Sequence, residues 1–302
     1  MSFSSDTKEE LCGALPGSLS AAQAEAYGIL MFCNSFGTTG IRISTQSAAL
    51  AKRLPPLFEQ AFGVAFDEQP DRLEGAGKLI FRITRRTSLE RILEAYGYST
   101  TGPFSLHINY AVLEDNECIA AFCKGAFLAG GSVTDPAKRY HLEMATNHLF
   151  AHREFQALLP ELHMHPRATT RKSNYLTYFK KSDDIAAFLT AIGAPKAAQA
   201  VMSAKVEKDL VNGVNRQYNC DVANVDKAVA AAQTQIDAIR TLRQRGELDQ
   251  LPEKLRQTAQ LREEYPELSL AELAAMCVPA VSKSCLNHRL RKLQEMAASV
   301  SD

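Results

Sequence analysis

The sequence lacks the features that would place it in several familiar classes. Its 302 residues contain no apolar run near the roughly 18 residues that a membrane-spanning helix needs, so no membrane partner is expected. The N-terminus is polar and acidic without an apolar signal core, and the seven cysteines form no C-x-x-C pair. We therefore expect a cytoplasmic chain with reduced, buried thiols. No cofactor or metal is expected, because His163 and His165 lack further ligands nearby.

The sequence also lacks an excess of charge of either sign. It has 34 basic and 34 acidic residues, so any case for a nucleic-acid partner must come from local clusters. The apolar fraction of 46% is ordinary for a globular protein, and the length allows two or three domains.

One pattern of five elements occurs twice between residues 26 and 193. Each copy has an apolar helix rich in small residues, a short alternating strand, a second helix, a second strand and a closing helix. The elements are predicted at 26–35, 41–45, 48–62, 78–83 and 88–97 in the first copy, and at 122–132, 140–144, 149–162, 174–179 and 184–193 in the second. Five elements in the same order predict two similar lobes related by a pseudo-twofold axis.

The closing helices of the two copies have matching apolar positions and both end at a glycine. The pairs are Leu89 with Ile185, Ile92 with Phe188, Leu93 with Leu189, and Gly97 with Gly193. A glycine just past a helix adopts the left-handed conformation of a C-cap, so both helices should end there.

The opening helix of the second copy contains Gly125, Gly130 and Gly131. An interior glycine costs about 1 kcal/mol relative to alanine, which favours a position where two helix backbones must approach closely. The alternative is an ordinary core helix that ends at a glycine.

This helix resembles the LAGLIDADG motif of homing endonucleases, in the segment Gly125-Ala126-Phe127-Leu128-Ala129-Gly130-Gly131-Ser132. The resemblance implies two motif helices packed between two lobes, with a metal-binding acid near the end of each helix. Cys33 and Gly130 occupy those positions, and neither suits a hard cation. The nearest acids are Glu25 and Asp135, and Asp135 is expected to be a turn residue because it precedes Pro136. The resemblance therefore implies a nuclease-like scaffold that is not an enzyme, with an active metal-dependent nuclease as the rival.

From about residue 195 the pattern becomes entirely helical. We predict a connecting helix at 197–211, a turn at 212–215, a long helix at 223–245 and another that begins at Pro252 and ends near Tyr265. The apolar positions of the long helix are expected to face a core: Val225, Val229, Ala232, Ile236, Ile239 and Leu242.

The last 35 residues predict a helix-turn-helix. Ser269 and Glu272 form a capping box that starts a short helix, and Ser282 can cap a final helix at 283–297. Leu286, Leu290 and Leu293 share one stripe of that helix. Residues 283–292 contain four Lys or Arg and no acid, so the positive charge is concentrated there. This arrangement is typical of a helix that enters the DNA major groove.

The predicted DNA-binding residues all lie on this final helix and its cap: Ser282, Lys283, Ser284, Asn287, His288, Arg289, Arg291 and Lys292. Arg291 suits guanine and Asn287 suits adenine, because each can form paired hydrogen bonds with a base edge. Lys283, Arg289 and Lys292 suit phosphates. The alternative is a solvated charged face on a small helical bundle.

The same region resembles the C-terminal signature of the bacterial WhiA regulators. In this region the resemblance is carried by 268–273, Pro279, 282–284 and 287–293, and elsewhere in the chain by 127–133, Asn219-Cys220 with Ala223-Asn224, and 251–256. The resemblance covers essentially the whole chain and is looser in the first lobe. It implies a transcription regulator linked to sporulation, cell division or chromosome organisation, which binds double-stranded promoter DNA and is associated with the nucleoid.

We therefore predict an α+β chain of two LAGLIDADG-like lobes at 1–103 and 104–195, a helical linker at 196–222 and an all-α helix-turn-helix domain at 223–302. A second hypothesis is an interaction scaffold of the division or chromosome machinery, whose lobes bind a protein and which contacts DNA secondarily. Basic residues predicted near the strands of the lobes can serve DNA or simply a solvated surface: Arg82, Arg85, Arg86, Arg167, Arg171, Lys172, Lys180 and Lys181.

Overall fold

The computed structural model describes residues 2–73, 77–100 and 104–299. The chain forms two compact units, the first ending at Lys208 and the second beginning at Asp209. The first unit mixes helices with two antiparallel sheets and the second is helical, so the fold is α+β. The predicted boundary between the two lobes, at residue 103, lies outside the described residues.

The described residues of the first lobe form four helices and one three-stranded antiparallel sheet in the order β1-β2-β3. Its elements are α1 (Phe3–Leu11), α2 (Leu19–Phe32), β1 (Ser35–Gly37), β2 (Gly40–Thr45), α3 (Ala48–Phe62), β3 (Leu79–Ile83) and α4 (Arg86–Ala95). Serine hydroxyls cap three of these helices: Ser2 accepts the Ser5 N–H, Ser18 accepts the Ala21 N–H and Ser47 accepts the Leu50 N–H.

The second lobe repeats this order around a four-stranded sheet, β4-β5-β7-β6. Its elements are α5 (Asn116–Gly130), β4 (Gly131–Val133), β5 (Leu142–Thr146), α6 (Leu149–Leu158), β6 (Arg167–Arg171), β7 (Asn174–Phe179) and α7 (Ser182–Ala191). Short 3-10 segments cover Tyr110–Val112 and Leu159–Leu162.

The predicted repeat is confirmed. The three apolar pairs of the closing helices are all buried, and Gly97 and Gly193 have φ angles of 72° and 91°. These angles lie in the left-handed region that a glycine C-cap uses. Some predicted boundaries were wrong. Strand β5 runs from Leu142 to Thr146 rather than from 140 to 144, because Asp135 opens a turn to Lys138 and pairing with β7 starts at Leu142. The opening helices end at Phe32 and Gly130 rather than at 35 and 132, because β1 begins at Ser35 and β4 at Gly131.

The motif helices α2 and α5 pack against each other at the centre of the first unit. They contribute Tyr27, Phe122 and Phe127 to one continuous core, each fully buried. The Tyr27 ring stacks on Tyr96 with centroids 4.0 Å apart, and Phe122 meets the Tyr27 ring edge-on. The aromatic layer therefore joins residues of both lobes.

Helix α8 (Pro195–Gln244) is continuous, so the predicted turn at 212–215 was wrong. Gly213 lies in its interior with open space around its α-carbon. A single glycine costs a helix only about 1 kcal/mol, which is too little to break it here. At the N-terminus of α8, the Glu10 carboxylate accepts the backbone N–H groups of Lys196 at 2.7 Å and Ala197 at 3.0 Å.

The apolar stripe of α8 is only partly covered. Ala232, Ile236, Ile239 and Leu242 are buried as predicted, whereas Val225 and Val229 are exposed, which corrects their assignment to a core. Three helices complete the second unit: α9 (Glu253–Glu264), α10 (Leu270–Met276) and α11 (Lys283–Ala298). No helix in the described ranges is both long enough and apolar enough to cross a membrane.

Candidate nucleic-acid interface

Helices α9, α10 and α11 and the C-terminal end of α8 enclose a small apolar core. Leu273 of α10 packs with Leu286, Leu290 and Leu293 of α11, and each of these four side chains is 1% exposed. The predicted leucine stripe is therefore the buried face of α11. Burying that face fixes which residues of α11 point outward.

The predicted capping box at the start of α10 is confirmed. The Ser269 N–H donates to Glu272 Oε2 at 2.8 Å, and the Glu272 N–H donates to Ser269 Oγ at 3.4 Å. The hydrogen bonds from Ser269 lower the pKa of the Glu272 carboxyl, which stays ionised. After α10, the Val281 N–H donates to the Ala274 carbonyl at 3.0 Å and brings the chain back to start α11.

Ser282 begins α11 as predicted, since its hydroxyl accepts the Cys285 N–H at 3.2 Å. Seven of the eight predicted DNA-binding residues are exposed on α11 and its cap: Ser282, Lys283, Ser284, Asn287, His288, Arg291 and Lys292. The eighth, Arg289, is half-buried. Its guanidinium lowers the pKa of the Cys277 thiol, against the larger upward effect of burial.

On the outward surface of α11, Arg291 forms an ion pair within the helix. Arg291 Nε donates to Glu295 Oε1 at 3.0 Å, and both side chains are largely exposed. A pair of this kind contributes little stability because water and salt screen it. The Arg291 guanidinium can therefore exchange Glu295 for another acceptor at small cost.

A second feature lies at the ends of α2 and α5, where Cys33 and Gly130 line one cavity of about 230 Å³. The Cys33 sulfur lies 3.1 Å from the Leu30 carbonyl oxygen and 3.2 Å from that of Ser35. Burial raises the pKa of this thiol to about 12, so it is neutral near pH 7. A Cβ at Gly130 would stand 2.4 Å from the Ala145 carbonyl oxygen, so this backbone has no room for an acidic side chain.

The nearest acids have other partners. Glu25 is buried and accepts two hydrogen bonds from Arg53, one of them from Nη2 at 2.8 Å, and Lys124 lies 3.4 Å away. Asp135 accepts the Ala137 N–H at 2.9 Å, which fits its predicted role in a turn. In the described ranges, no group of three or more His, Cys, Asp or Glu could hold a metal ion.

Comparisons with known proteins agree on one family. Residues 119–211 match the WhiA LAGLIDADG-like domain and residues 214–297 match the WhiA C-terminal HTH domain. A probable cell division protein WhiA from Thermoanaerobacter sp. (strain X514) is 33% identical, with 100% of this chain and 99% of the relative covered. The chain belongs to the WhiA family. Another probable cell division protein WhiA, from Ruminiclostridium cellulolyticum, is 32% identical over 99% of this chain and 98% of its own length.

The fold also matches a solved WhiA structure. Full-length WhiA from Thermotoga maritima superposes with a TM-score of 0.59, at 25% identity and with 100% of each chain covered. The two LAGLIDADG-like lobes and the C-terminal helix-turn-helix are thus features that this chain shares with the WhiA family.

The basic residues of the two WhiA lobes differ in their surroundings. In the first lobe Arg82 pairs with Glu68, Arg85 with Asp67 and Arg86 with Glu90. In the second lobe Arg171 pairs with Glu143, and Lys180 lies 5.3 Å from the Tyr178 ring centroid. Arg167, Lys172 and Lys181 are exposed. Among these eight residues, those of the second lobe therefore have fewer carboxylate partners.

Two features of this chain were not predicted from the sequence. Gly28, in α2, proves to be the counterpart of Gly125. Its position in the repeat was an available signal, because Gly28 and Gly125 are 97 residues apart and the matched pair Leu89 and Ile185 is 96 apart. The second feature is a cavity in the second unit that contains Gln235 and Arg262. No local pattern could reveal it, because these residues are 27 positions apart.

Proposed function

We propose that this chain is a sequence-specific DNA-binding transcription regulator that reads double-stranded promoter DNA with α11. The observation that carries the proposal is the outward surface of α11, which combines base-reading and cationic side chains opposite a fully buried leucine stripe. An α-helix fits the width of the major groove, so this surface can lie against base edges.

The residues of this surface have separate proposed roles. Asn287 accepts from and donates to adenine, and Arg291 donates two hydrogen bonds to guanine. Lys283 and Lys292 neutralise phosphates, and Arg289 does so from the edge of the helix. The small polar side chains of Ser282 and Ser284, together with His288, complete the contact surface.

We also propose that the LAGLIDADG-like lobes are catalytically inactive. Cleavage by such a fold needs a divalent cation held by oxygen ligands. Cys33 offers a buried neutral thiol and Gly130 offers no side chain, while Glu25 is occupied by Arg53 and Lys124. The curated relatives reported above are named as cell division proteins and not as enzymes.

The cellular role is proposed from those relatives. Their printed names favour a part in cell division, to which the family resemblance adds sporulation and chromosome organisation. A regulator of this kind would act in the cytoplasm on the nucleoid. We propose the domain limits 1–103, 104–195, 196–222 and 223–302. The linker at 196–222 is part of the continuous helix α8.

A second candidate function is an interaction scaffold that binds a protein through the lobes. One observation favours it: β6 is an edge strand in which all five residues, Arg167–Arg171, are exposed. An open edge of this kind can accept a further strand from a partner.

A genome-wide binding profile tests the two candidates against each other. The regulator predicts discrete promoter peaks that share a sequence and disappear when Asn287 and Arg291 are replaced by alanine. The scaffold predicts that the occupied positions survive those replacements and disappear when β6 is altered, for example by Thr170→Pro. Thr170 is exposed, and its N–H faces the open edge because Thr170 lies one residue before the hydrogen-bonded pair Arg171–Asn174 that closes the hairpin.

A further inference from the structure

A cavity of about 230 Å³ lies inside the second unit. Its apolar lining consists of three alanines of α8 and three residues at the start of α10: Ala228, Ala231, Ala232, Leu268, Leu270 and Ala271. Gln235 of α8, Arg262 of α9 and Ser269 supply polar side chains, and Lys283, the first residue of α11, also lines the cavity. The cavity therefore includes one residue of the proposed DNA surface.

Two buried polar atoms on side chains that line this cavity have no hydrogen-bond partner among the residues that the structure describes. Gln235 is 6% exposed and its Oε1 accepts no hydrogen bond, while Arg262 is 3% exposed and its Nε donates none. Arg262 is nevertheless held in place, since its Nη1 donates to the Leu268 carbonyl at 3.0 Å and to that of Pro266 at 3.3 Å. Buried polar atoms are almost always satisfied in native proteins, so each exception calls for an explanation.

The charge of Arg262 also favours a bound ligand. Burial lowers the pKa of its guanidinium, and no carboxylate in the described parts of the chain pairs with it. A buried cation without a counter-ion is costly, and an anion in the cavity would remove that cost.

We propose that this cavity binds a small anion that also carries a hydroxyl group, a 2-hydroxycarboxylate or hydrogen phosphate, and that its binding weakens the DNA contact of Lys283. Arg262 Nε donates to an oxygen of the anion. Gln235 Oε1 accepts the hydroxyl proton, and the Lys283 ammonium group adds a third contact at the edge. The volume is below that of ordinary pockets for drug-sized ligands, which restricts the anion to a few non-hydrogen atoms.

The coupling to DNA rests on the proposed function of α11, whereas the binding of the anion does not. Lys283 cannot neutralise a DNA phosphate and the bound anion equally well at the same time. By thermodynamic linkage, the anion should lower DNA affinity by the factor by which DNA lowers anion affinity.

Calorimetry on the full chain tests the site without DNA. L-Lactate is the 2-hydroxycarboxylate probe and inorganic phosphate is the hydrogen phosphate probe. Acetate is the control, because it has a carboxylate without a hydroxyl group. We expect one site per chain for lactate, phosphate or both, with acetate at least about tenfold weaker because Gln235 Oε1 is left unpaired. Absence of binding by both lactate and phosphate, or equal binding of acetate, would overturn the proposal.

Two variants and one control locate the site. Ala231→Leu should fill the cavity from its exposed side and abolish binding, and Gln235→Glu should supply an internal carboxylate for Arg262 and weaken binding at least about tenfold. Ala230→Leu is the matched control, because Ala230 is exposed on the same helix outside the cavity. Each variant is compared with the parent by circular dichroism. Retained binding in a folded Ala231→Leu protein would refute the assignment.

Fluorescence anisotropy with a short duplex, at constant ionic strength, tests the coupling. Saturating anion should weaken DNA binding by about three- to tenfold in the parent protein, which is the usual range of such couplings. It should have no effect in the Ala231→Leu or Lys283→Ala proteins. An unchanged affinity in the parent refutes the coupling, whereas absence of DNA binding without anion refutes the proposed function itself.

Discussion

Gly28 of α2 and Gly125 of α5 each lie against the backbone of the other helix. A Cβ at Gly28 would stand 2.0 Å from the Phe122 carbonyl oxygen, and a Cβ at Gly125 would stand 2.0 Å from that of Glu25. Each oxygen belongs to the residue three positions before the opposite glycine. The contact is thus reciprocal, as a pseudo-twofold axis between two copies of one motif requires.

This reciprocity predicts that Gly28→Ala and Gly125→Ala are equally damaging. Either methyl group would force the helix backbones apart, at a cost of about 3 kcal/mol or more in the free energy of unfolding. Urea unfolding followed by circular dichroism measures this cost. Gly213→Ala is the matched control, because Gly213 lies in exposed α8 with nothing within 4 Å of the added carbon. It should stabilise the protein by up to about 1 kcal/mol. Equal stability of all three variants would contradict a close helix contact.

The parts of the fold that were predictable from sequence carry their signal within a few neighbouring residues. The capping box of Ser269 and Glu272 and the leucine stripe of α11 are examples, and both are confirmed. The edge strand β6 was missed because all its residues are exposed, so its sequence shows no alternation of apolar and polar residues.

The turn at 212–215 was predicted wrongly because the preference of two residues competes with that of the helix around them. Asn212-Gly213 favours a turn, yet the helix-forming residues on both sides keep α8 continuous. For the candidate sites, the residues facing out from α11 follow from helical periodicity. The partners of Glu25 do not, because tertiary packing brings Arg53 and Lys124 to it from distant parts of the chain.

The second prediction is that the protein does not cut DNA. Supercoiled plasmid and promoter fragments should remain intact with excess Mg²⁺ or Mn²⁺, because neither motif helix ends in a metal ligand. Cys33→Asp should remain inactive as well, since the opposite position, Gly130, has no room for a second acid. Stoichiometric nicking by pure protein that EDTA abolishes would show that the lobes retain a metal site.

The third prediction concerns stability at high pH. Burial raises the pKa of the Cys123 thiol to about 12 from an unfolded value near 9. The thiol therefore favours the folded state fully below pH 9, and this contribution is lost as the pH rises from 9 towards 12. Cys123→Ala should reduce the loss of stability between pH 7.5 and 10.5 by about 2 kcal/mol.

The buried tyrosines Tyr96 and Tyr98, whose pKa values burial also raises, contribute in the same direction. The informative quantity is therefore the difference in slope between variant and parent protein, measured by urea unfolding at each pH. Cys220→Ala replaces an exposed thiol and should keep the parent slope. If both variants keep that slope, the Cys123 thiol does not titrate as its burial requires.

The final prediction separates base reading from phosphate binding on α11. Asn287→Ala or Arg291→Ala should cost about 1–3 kcal/mol on the cognate duplex and little on random DNA, because only base contacts distinguish the two. Lys292→Ala should weaken both alike and lower the slope of log K against log salt by about 1. A salt series by fluorescence anisotropy on cognate and scrambled duplexes measures both effects.

Two choices keep this test specific to α11. Arg289 is left unchanged because it is half-buried beside Cys277, so its replacement would also alter packing. Glu295→Gln serves as the control for Arg291, since it removes the ion pair of 3.0 Å without touching the guanidinium. This variant should bind the cognate site at least as tightly as the parent protein, because Arg291 no longer has to leave Glu295. Full specificity in the Asn287 and Arg291 variants would remove DNA reading from this helix and leave the lobes as the surface to examine.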